Sequence, residues 1–354
     1  MKVLMKGNEA IAEAAIRAGC KLYFGYPITP QTEISAYMAK KMPHVGGTFL
    51  QAESEISAIN MAYGAAGAGK RVLTSSSSPG ISLKCETISY IAASDVPCVI
   101  CNIVRGGPGL GGIQPAQSDY FQATKGGGHG DYKIIVLAPS SVQEAADLTM
   151  EAFDLADLYR IPVMIMGDGL LGQMMEAVEF KEYIKRDLPP KDWAACGTMN
   201  MRKKNIINSL YLTPDELENL VVERFKRYET IKKREVKVEE YMCNDADIIL
   251  VAYGIAARIA KSAVNMARNE GIKAGLIRPV TLWPFPEESF LKYDPRCYLT
   301  VEMSMGQMVE DVKLAVGGGG KKDVHFYGRC GGVVFESEEI FEKIKEIIQK
   351  YQKG

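Results

Sequence analysis

The chain is 354 residues long, 47% hydrophobic, and carries 42 basic against 43 acidic residues for a net charge of -1. This length exceeds one ordinary core, so two domains and a linker are expected, and the even charge balance, without a long block of one sign, excludes a nucleic-acid arm or an acidic tail. No apolar run approaches the roughly 20 residues that span a bilayer, so neither nucleic acid nor membrane is an expected partner.

The N-terminus passes from Met1 through the strand-like Val3-Leu4-Met5 into charged, helical sequence, without the apolar core of a signal peptide. From 1 to 175, helical stretches alternate with short Val- and Ile-rich runs that end in Gly, Pro or Ser, the rhythm of a parallel sheet wrapped by helices. The pattern predicts strands over 21–25, 47–51, 71–75, 98–104, 133–138 and 163–167. Helices are expected over 7–18, 31–42, 55–67, 82–94 and 141–159, with a short piece near Tyr120. Ser141 with Glu144 three residues on reads as a capping box.

From 176 to 244 the rhythm breaks into a linker with Pro189-Pro190, Trp193 and a long charged helix opened by Thr213-Pro214. Leu217, Leu220, Val221 and Phe225 recur on it at helical spacing, so it is expected to pack that face on one domain. Alternation returns over 245–354, with strands near 247–254, 273–277, 297–302 and 324–327 and helices at 308–316 and 337–351. The expected fold class is α/β: two open parallel-sheet domains joined by a linker.

Eight scattered cysteines fit reduced thiols in a cytoplasm better than a disulfide framework. Cys98 and Cys101 form a CxxC inside an expected buried strand, where residues three apart lie about 10 Å apart on opposite faces and cannot share a metal. No cysteine run resembles a ferredoxin pattern, so an iron-sulfur cluster would have to sit on another chain.

Four segments at the C-terminal ends of expected strands carry chemistry. Tyr26-Pro27-Ile28-Thr29-Pro30 presents a hydroxyl and amides in a stiff strand-to-helix loop, where open α/β sheets bind ligands; a rigid turn with a capping Thr accounts for it equally well. Gln51-Ala52-Glu53-Ser54-Glu55 opens a helix rich in small residues, with Glu55 favoured by the helix dipole. Thr74 to Gly80, which includes Ser78, is dense in hydroxyls. Arg105 roots a glycine-rich stretch, Gly106-Gly107-Pro108-Gly109, and suits a carboxylate or phosphate. Consecutive strand ends can converge, so one site is expected. A nucleotide-binding module is disfavoured, because neither GxGxxG nor GxxxxGK[ST] is present in context.

In this combination the Tyr-Pro-Ile-Thr-Pro motif, Ala52-Glu53-Ser54-Glu55, Ser77-Ser78-Pro79-Gly80 and Arg105-Gly106-Gly107-Pro108-Gly109 resemble the 2-oxoacid:ferredoxin oxidoreductases over nearly the whole chain. With Gly126 to Tyr132 included, the pattern looks most like the alpha-type subunit of the branched-chain (2-ketoisovalerate) enzymes, with the 2-oxoglutarate enzymes as near neighbours. A non-redox thiamine-dependent decarboxylase or transketolase half would share Glu55 and the sheet but need no ferredoxin partner. The resemblance implies a pyrimidine-type thiamine-diphosphate-binding fold followed by a transketolase C-terminal-like domain. It implies Glu55 as the acid that hydrogen-bonds the aminopyrimidine ring, Tyr26, Pro27, Ile28 and Ser78 as cofactor contacts, and Thr29 and Arg105 as ligands of the substrate carboxylate.

Gly167-Asp168-Gly169 matches the start of a diphosphate and magnesium motif, but the next asparagine, Asn200, is too distant to complete it, so Asp168 is expected to be a strand-end residue without metal. The resemblance therefore implies a heteromer. Magnesium and the diphosphate would be held by a beta-type subunit and the cluster by gamma-type or ferredoxin-like subunits, with coenzyme A as co-substrate and ferredoxin as electron acceptor.

Overall fold

A computed structural model describes residues 2–184, 186–317 and 322–352; Met1 and Gly354, the ends of the expected first and last units, lie outside them. A seven-stranded sheet runs in the order Thr281–Trp283, Ile135–Leu137, Pro162–Asp168, Cys98–Val104, Val72–Ser76, Leu22–Gly25, Thr48–Gln51. All neighbours are parallel except the first pair. The two central strands, Cys98–Val104 and Pro162–Asp168, are buried along their whole length, as continuous Val- and Ile-rich runs in a doubly covered parallel sheet should be. Cys98 and Cys101 are both free and buried there.

A second sheet orders Asp323–Gly328, Cys297–Glu302, Ile248–Val251, Ala274–Pro279 and Val238–Tyr241, the last strand antiparallel to its neighbour. Val238–Tyr241 comes from the stretch expected to be linker, and Thr281–Trp283 crosses from the second unit to edge the first sheet. A two-stranded ribbon pairs Lys2–Lys6 with Met175–Glu179. Lys2–Lys6 covers the strand-like Val3-Leu4-Met5, whereas the other three short pieces carry no two-residue periodicity long enough to be read before a partner is known.

Contacts between the two sheets' units are polar and specific. Arg278 grips both oxygens of Glu144 at 2.9 and 2.8 Å. The expected capping box is therefore only half present: Ser141 Oγ accepts from the Glu144 amide at 3.1 Å, whereas the Glu144 carboxylate bonds the Ser140 amide at 2.7 Å and the guanidinium rather than the Ser141 amide.

The long helix Pro214–Arg234 departs from expectation. Leu217 and Phe225 are exposed, and the buried side chains are Arg224, Tyr228 and Ile231, spaced four and three apart in its C-terminal half. Arg224 Nε reaches Asp95 Oδ1 at 3.1 Å, and Tyr228 meets the edge of Trp283 with centroids 5.7 Å apart. The expected stripe and the buried one share a face, with Leu217, Val221, Arg224, Tyr228 and Ile231 following at steps of four and three, but full burial falls in the C-terminal half, where an arginine anchored by a carboxylate is buried with its stem packed along apolar neighbours.

Candidate active site

The sheet reverses its direction of winding at Leu22–Gly25. The chain goes outward from there to Thr48–Gln51 and back inward to Val72–Ser76, which makes the gap beyond Leu22–Gly25 and Val72–Ser76 a topological switch point, where such sheets open a crevice. The Tyr26 to Pro30 loop and the Ser77 turn leave the sheet on either side of this gap. Gln31, fully buried, ties them together: its Nε2 donates to the Tyr26 carbonyl at 3.1 Å and its Oε1 accepts from Ser75 Oγ at 2.6 Å.

The helix after Val72–Ser76 starts at Ser78, four residues before the expected boundary of 82. Ser77 is extended at the N-cap, Pro79 lies in the first turn where its missing N–H costs nothing, and the helix runs Ser78–Ala93. Ser78 therefore sits at a helix N-terminus rather than in a free loop. Its hydroxyl accepts from the Arg105 amide at 3.0 Å and lies 3.3 Å from the Arg105 carbonyl.

Glu55 begins the helix Glu55–Gly67, with Ser54 capping the Ser57 amide at 3.2 Å, and it is only 6% exposed. Gly80 makes room for it: a Cβ on Gly80 would lie 2.6 Å from Glu55 Oε1 and 2.0 Å from Ser76 Oγ, closer than real atoms approach. Ser76 Oγ and Ser77 Oγ are buried without a hydrogen-bond partner, as is Arg105 Nε. Orphaned buried polar atoms are rare in folded proteins and mark places where a further group belongs.

Arg105 is buried, and its fork is engaged by backbone: Nη1 donates to the Thr29 carbonyl at 2.9 Å and Nη2 to the Leu110 carbonyl at 3.0 Å. The guanidinium thus clips the exposed Thr29 loop to the glycine stretch. The structure brings Thr29, Arg105 and Ser78 into one hydrogen-bonded group and Glu55 into contact distance of Gly80 on the same helix turn. Tyr26, Pro27 and Ile28 line the adjoining loop, Pro27 exposed and the other two half-buried.

Sequence reasoning passed over two neighbours. Asp119 accepts from Asn102 Nδ2 at 2.9 Å and from the Ser78 hydroxyl; burial pushes its carboxyl above the usual range. Lys84, fully buried, lies on the Ser78–Ala93 helix. Neither carries a motif; only the packed structure brings them here. The second unit also reaches this edge. Gln117 exchanges bonds with the Met303 backbone at 2.8 and 3.0 Å, and at Gly332, whose φ is +97°, a Cβ would lie 2.3 Å from the Gln114 Cβ. Between the units lies a cavity of about 350 Å³ lined by Ser78, Pro108, Asp119, Met303, Gln307 and Cys330.

Asp168 ends the strand Pro162–Asp168 and caps the short helix after it, its Oδ1 accepting from the Leu170 and Leu171 amides at 2.9 and 3.0 Å. Burial pushes its carboxyl up to about 6 against those bonds and one from the Ile255 amide. A pKa raised above the unfolded value makes the protonated form the stabilising one. Its contribution should be complete below about pH 4 and lost as the pH rises through about 6. Asp168→Asn should flatten the pH dependence of the melting temperature across that window, which a thermal-shift series measures; an unchanged slope contradicts the assignment.

Among the described residues no cluster of three His, Cys, Asp or Glu could hold a metal, and no helix is long and apolar enough to cross a membrane. Residues 13–240 match the family model described as pyruvate flavodoxin/ferredoxin oxidoreductase, thiamine diphosphate-binding, and 246–340 match pyruvate:ferredoxin oxidoreductase core domain II. The chain is 51% identical to the ketoisovalerate oxidoreductase subunit VorB of Methanothermobacter marburgensis, covering 97% of each. It is 37% identical to the 2-oxoglutarate synthase subunit KorA of Methanothermobacter thermautotrophicus, covering 96% of this chain and 97% of that one.

A solved 2-oxoglutarate:ferredoxin oxidoreductase from Magnetococcus marinus, with 2-oxoglutarate, coenzyme A and succinyl-CoA bound, superposes with a TM-score of 0.89 at 28% identity over 98% of this chain and 65% of its own. A split-gene transketolase shares the fold at a TM-score of 0.61 and 14% identity. With both of its units matched in order and the relatives aligned almost end to end, the chain belongs to the 2-oxoacid:ferredoxin oxidoreductase family and is a subunit of such an enzyme.

Proposed function

We propose that this chain supplies the aminopyrimidine- and carboxylate-binding half of the active site in a branched-chain 2-oxoacid:ferredoxin oxidoreductase, an enzyme of coenzyme A-dependent oxidative decarboxylation. The observation that carries the reading is Glu55, a buried carboxyl at a helix start that meets the unpartnered hydroxyl of Ser76 beside Gly80, with the hydroxyl of Ser77, next in the chain, unpartnered too. Those groups fit a flat, nitrogen-bearing ring: Glu55 can share a proton with a ring nitrogen and the hydroxyls can accept from an amino group. Thiamine diphosphate, when bound, supplies the nucleophilic carbon that attacks the keto group.

This chain's own residues bind, orient and hold a proton. The Thr29 hydroxyl lies at the exposed lip of the crevice, and the Arg105 guanidinium, with N–H bonds left beyond the two it gives to carbonyls, presents positive charge behind it. Together they suit the carboxylate of a 2-oxoacid. Tyr26, Pro27 and Ile28 wall the loop against the ring.

Magnesium and the diphosphate we assign to a beta-type partner, since Asp168, this chain's one match to a magnesium motif, is engaged in capping a helix. The iron-sulfur cluster belongs to gamma-type or ferredoxin-like subunits and the electrons go to ferredoxin. We place the assembly in the cytoplasm on its eight free thiols, six of them buried. The 51% likeness to a ketoisovalerate subunit against 37% to a 2-oxoglutarate subunit favours the branched-chain substrate. The domain division 1–175, 176–244 and 245–354 remains our reading of the chain's organisation, qualified by the strand that crosses between sheets.

The test is to co-express the chain with its partners and follow coenzyme A-dependent ferredoxin reduction on a panel of 2-oxoacids. Branched-chain substrates are expected to exceed 2-oxoglutarate by at least about tenfold in kcat/KM. A preference for 2-oxoglutarate overturns the substrate, and activity of the lone chain overturns the shared site.

A further inference from the structure

The segment 204–212, which leads into the long helix Pro214–Arg234, has the side-chain alternation of a strand but no strand beside it. Lys204, Ile206, Asn208, Leu210 and Leu212 are exposed, and Asn205, Ile207, Ser209 and Tyr211 between them are half-buried. The inner row holds the segment to the first unit: Asn205 Nδ2 donates to the Ala194 carbonyl at 3.1 Å, and Ile207 packs over Gly67. Side chains that alternate in this way are the mark of a half-buried strand.

Its backbone is left unpaired. Among the described residues, the amides and carbonyls of Ile207, Ser209 and Tyr211 form no hydrogen bond within the chain, and Leu210 is met only by the side chain of Asn208. Water can satisfy those groups, but it does not favour the outward row, where Ile206, Leu210 and Leu212 are 77%, 66% and 85% exposed. Leu217, in the first turn of the helix that follows, is exposed as well. An open strand edge joined to a contiguous apolar row is a surface on which another strand can pair.

The charges at its two ends say which strand. Lys203 and Lys204 stand exposed at the start, and Asp215, Glu216 and Glu218 stand exposed at the far end; none of the five has an ion-pair partner among the described residues. No basic residue occurs between 205 and 223. A surface that is basic at one end, apolar in the middle and acidic at the other matches itself when turned half a revolution about its centre, the condition for a two-fold contact between identical chains.

We propose that residues 204–212 pair antiparallel with the same segment of a second copy of this chain, Lys203 and Lys204 of each copy facing Asp215, Glu216 and Glu218 of the other. The contact joins two copies of the assembly through a surface that takes no part in the Glu55 crevice.

The experiment uses the co-expressed complex. Leu210→Cys, treated with a short bismaleimide, should give a product of twice this chain's mass on a denaturing gel, above the background that the exposed thiols Cys196 and Cys330 give in the unsubstituted complex. Added to Leu210→Cys, either Lys203→Glu with Lys204→Glu or Asp215→Lys with Glu216→Lys should cut that yield by about threefold or more, and the chain carrying all four reversals should recover most of it. All five positions are exposed, so the fold tolerates the changes.

Recovery in the fourfold variant is the result that only a self-matching contact gives. Coupling of Leu210→Cys to a different subunit, or no coupling above background, overturns the second copy as occupant. Unchanged yields in the paired variants, or losses that the fourfold variant does not restore, overturn the two-fold arrangement of charges.

Discussion

Glu55→Gln is expected to slow proton exchange at the thiazolium carbon of bound thiamine diphosphate by about 10²- to 10⁴-fold, the usual worth of a positioned acid or base. The substitution is nearly isosteric, and an amide at this position can still pack beside Gly80, so the fold and the assembly should survive it. What it removes is the ability to give and take a proton. The first turn of the Glu55–Gly67 helix keeps its Ser54 cap, and the small-residue face behind it is untouched. Exchange is read by proton NMR after acid quench, with size-exclusion chromatography confirming assembly. Exchange at the wild-type rate in an intact complex would remove Glu55 from the chemistry and return it to simple charge compensation at a helix start.

Arg71→Met should cost about 3–5 kcal/mol of stability, the range for breaking a buried ion pair by removal of one partner. Arg71 precedes the strand Val72–Ser76 and joins it to the helix Val142–Tyr159. Its Nε reaches Asp157 Oδ2 at 2.8 Å and its Nη2 reaches Asp154 Oδ1 at 2.5 Å, while Nη1 donates to the Ala18 carbonyl at 2.6 Å and to Tyr183 at 2.8 Å. Both aspartates are about 95% buried at their side chains. Lys191 would still answer Asp157 at 2.6 Å, which puts the expected loss toward the lower end, but Asp154 would keep only hydrogen bonds. Chemical denaturation of the purified complex measures the difference. A loss below about 1 kcal/mol would mean that solvent reaches the aspartates and the cluster behaves as an ordinary surface network.

The order of helices and strands is legible in the sequence because it rests on local rules. Apolar runs ended by Gly, Pro or Ser mark buried strands, and each observed strand of the first parallel set lies within a few residues of its expected place. Cys98–Val104 and Glu55–Gly67 coincide with expectation, since a continuous Val- and Ile-rich run and a run of small residues opened by an acid each mark one element. The helix start at Ser78 is missed because Ser-Ser-Pro-Gly reads equally as loop and as a proline-led first turn. The site motifs are legible for the same reason: each is a short segment at a strand end, and its chemistry lies in its own residues.

What the sequence by itself determined, then, is the succession of elements, the four chemical segments and the family they resemble. Tertiary structure alone decided which strand lies beside which, and so put the switch point between the Tyr26 loop and the Ser77 turn. It also sent Thr281–Trp283 to the far edge of the first sheet, put the burial of the long helix in the half that holds Arg224, Tyr228 and Ile231, and buried Lys84 against Thr74 and Ser75. The physical reason is range: propensity, capping and periodicity act over a few residues, whereas strand pairing, burial of a charge and the partners of a guanidinium depend on groups far away along the chain.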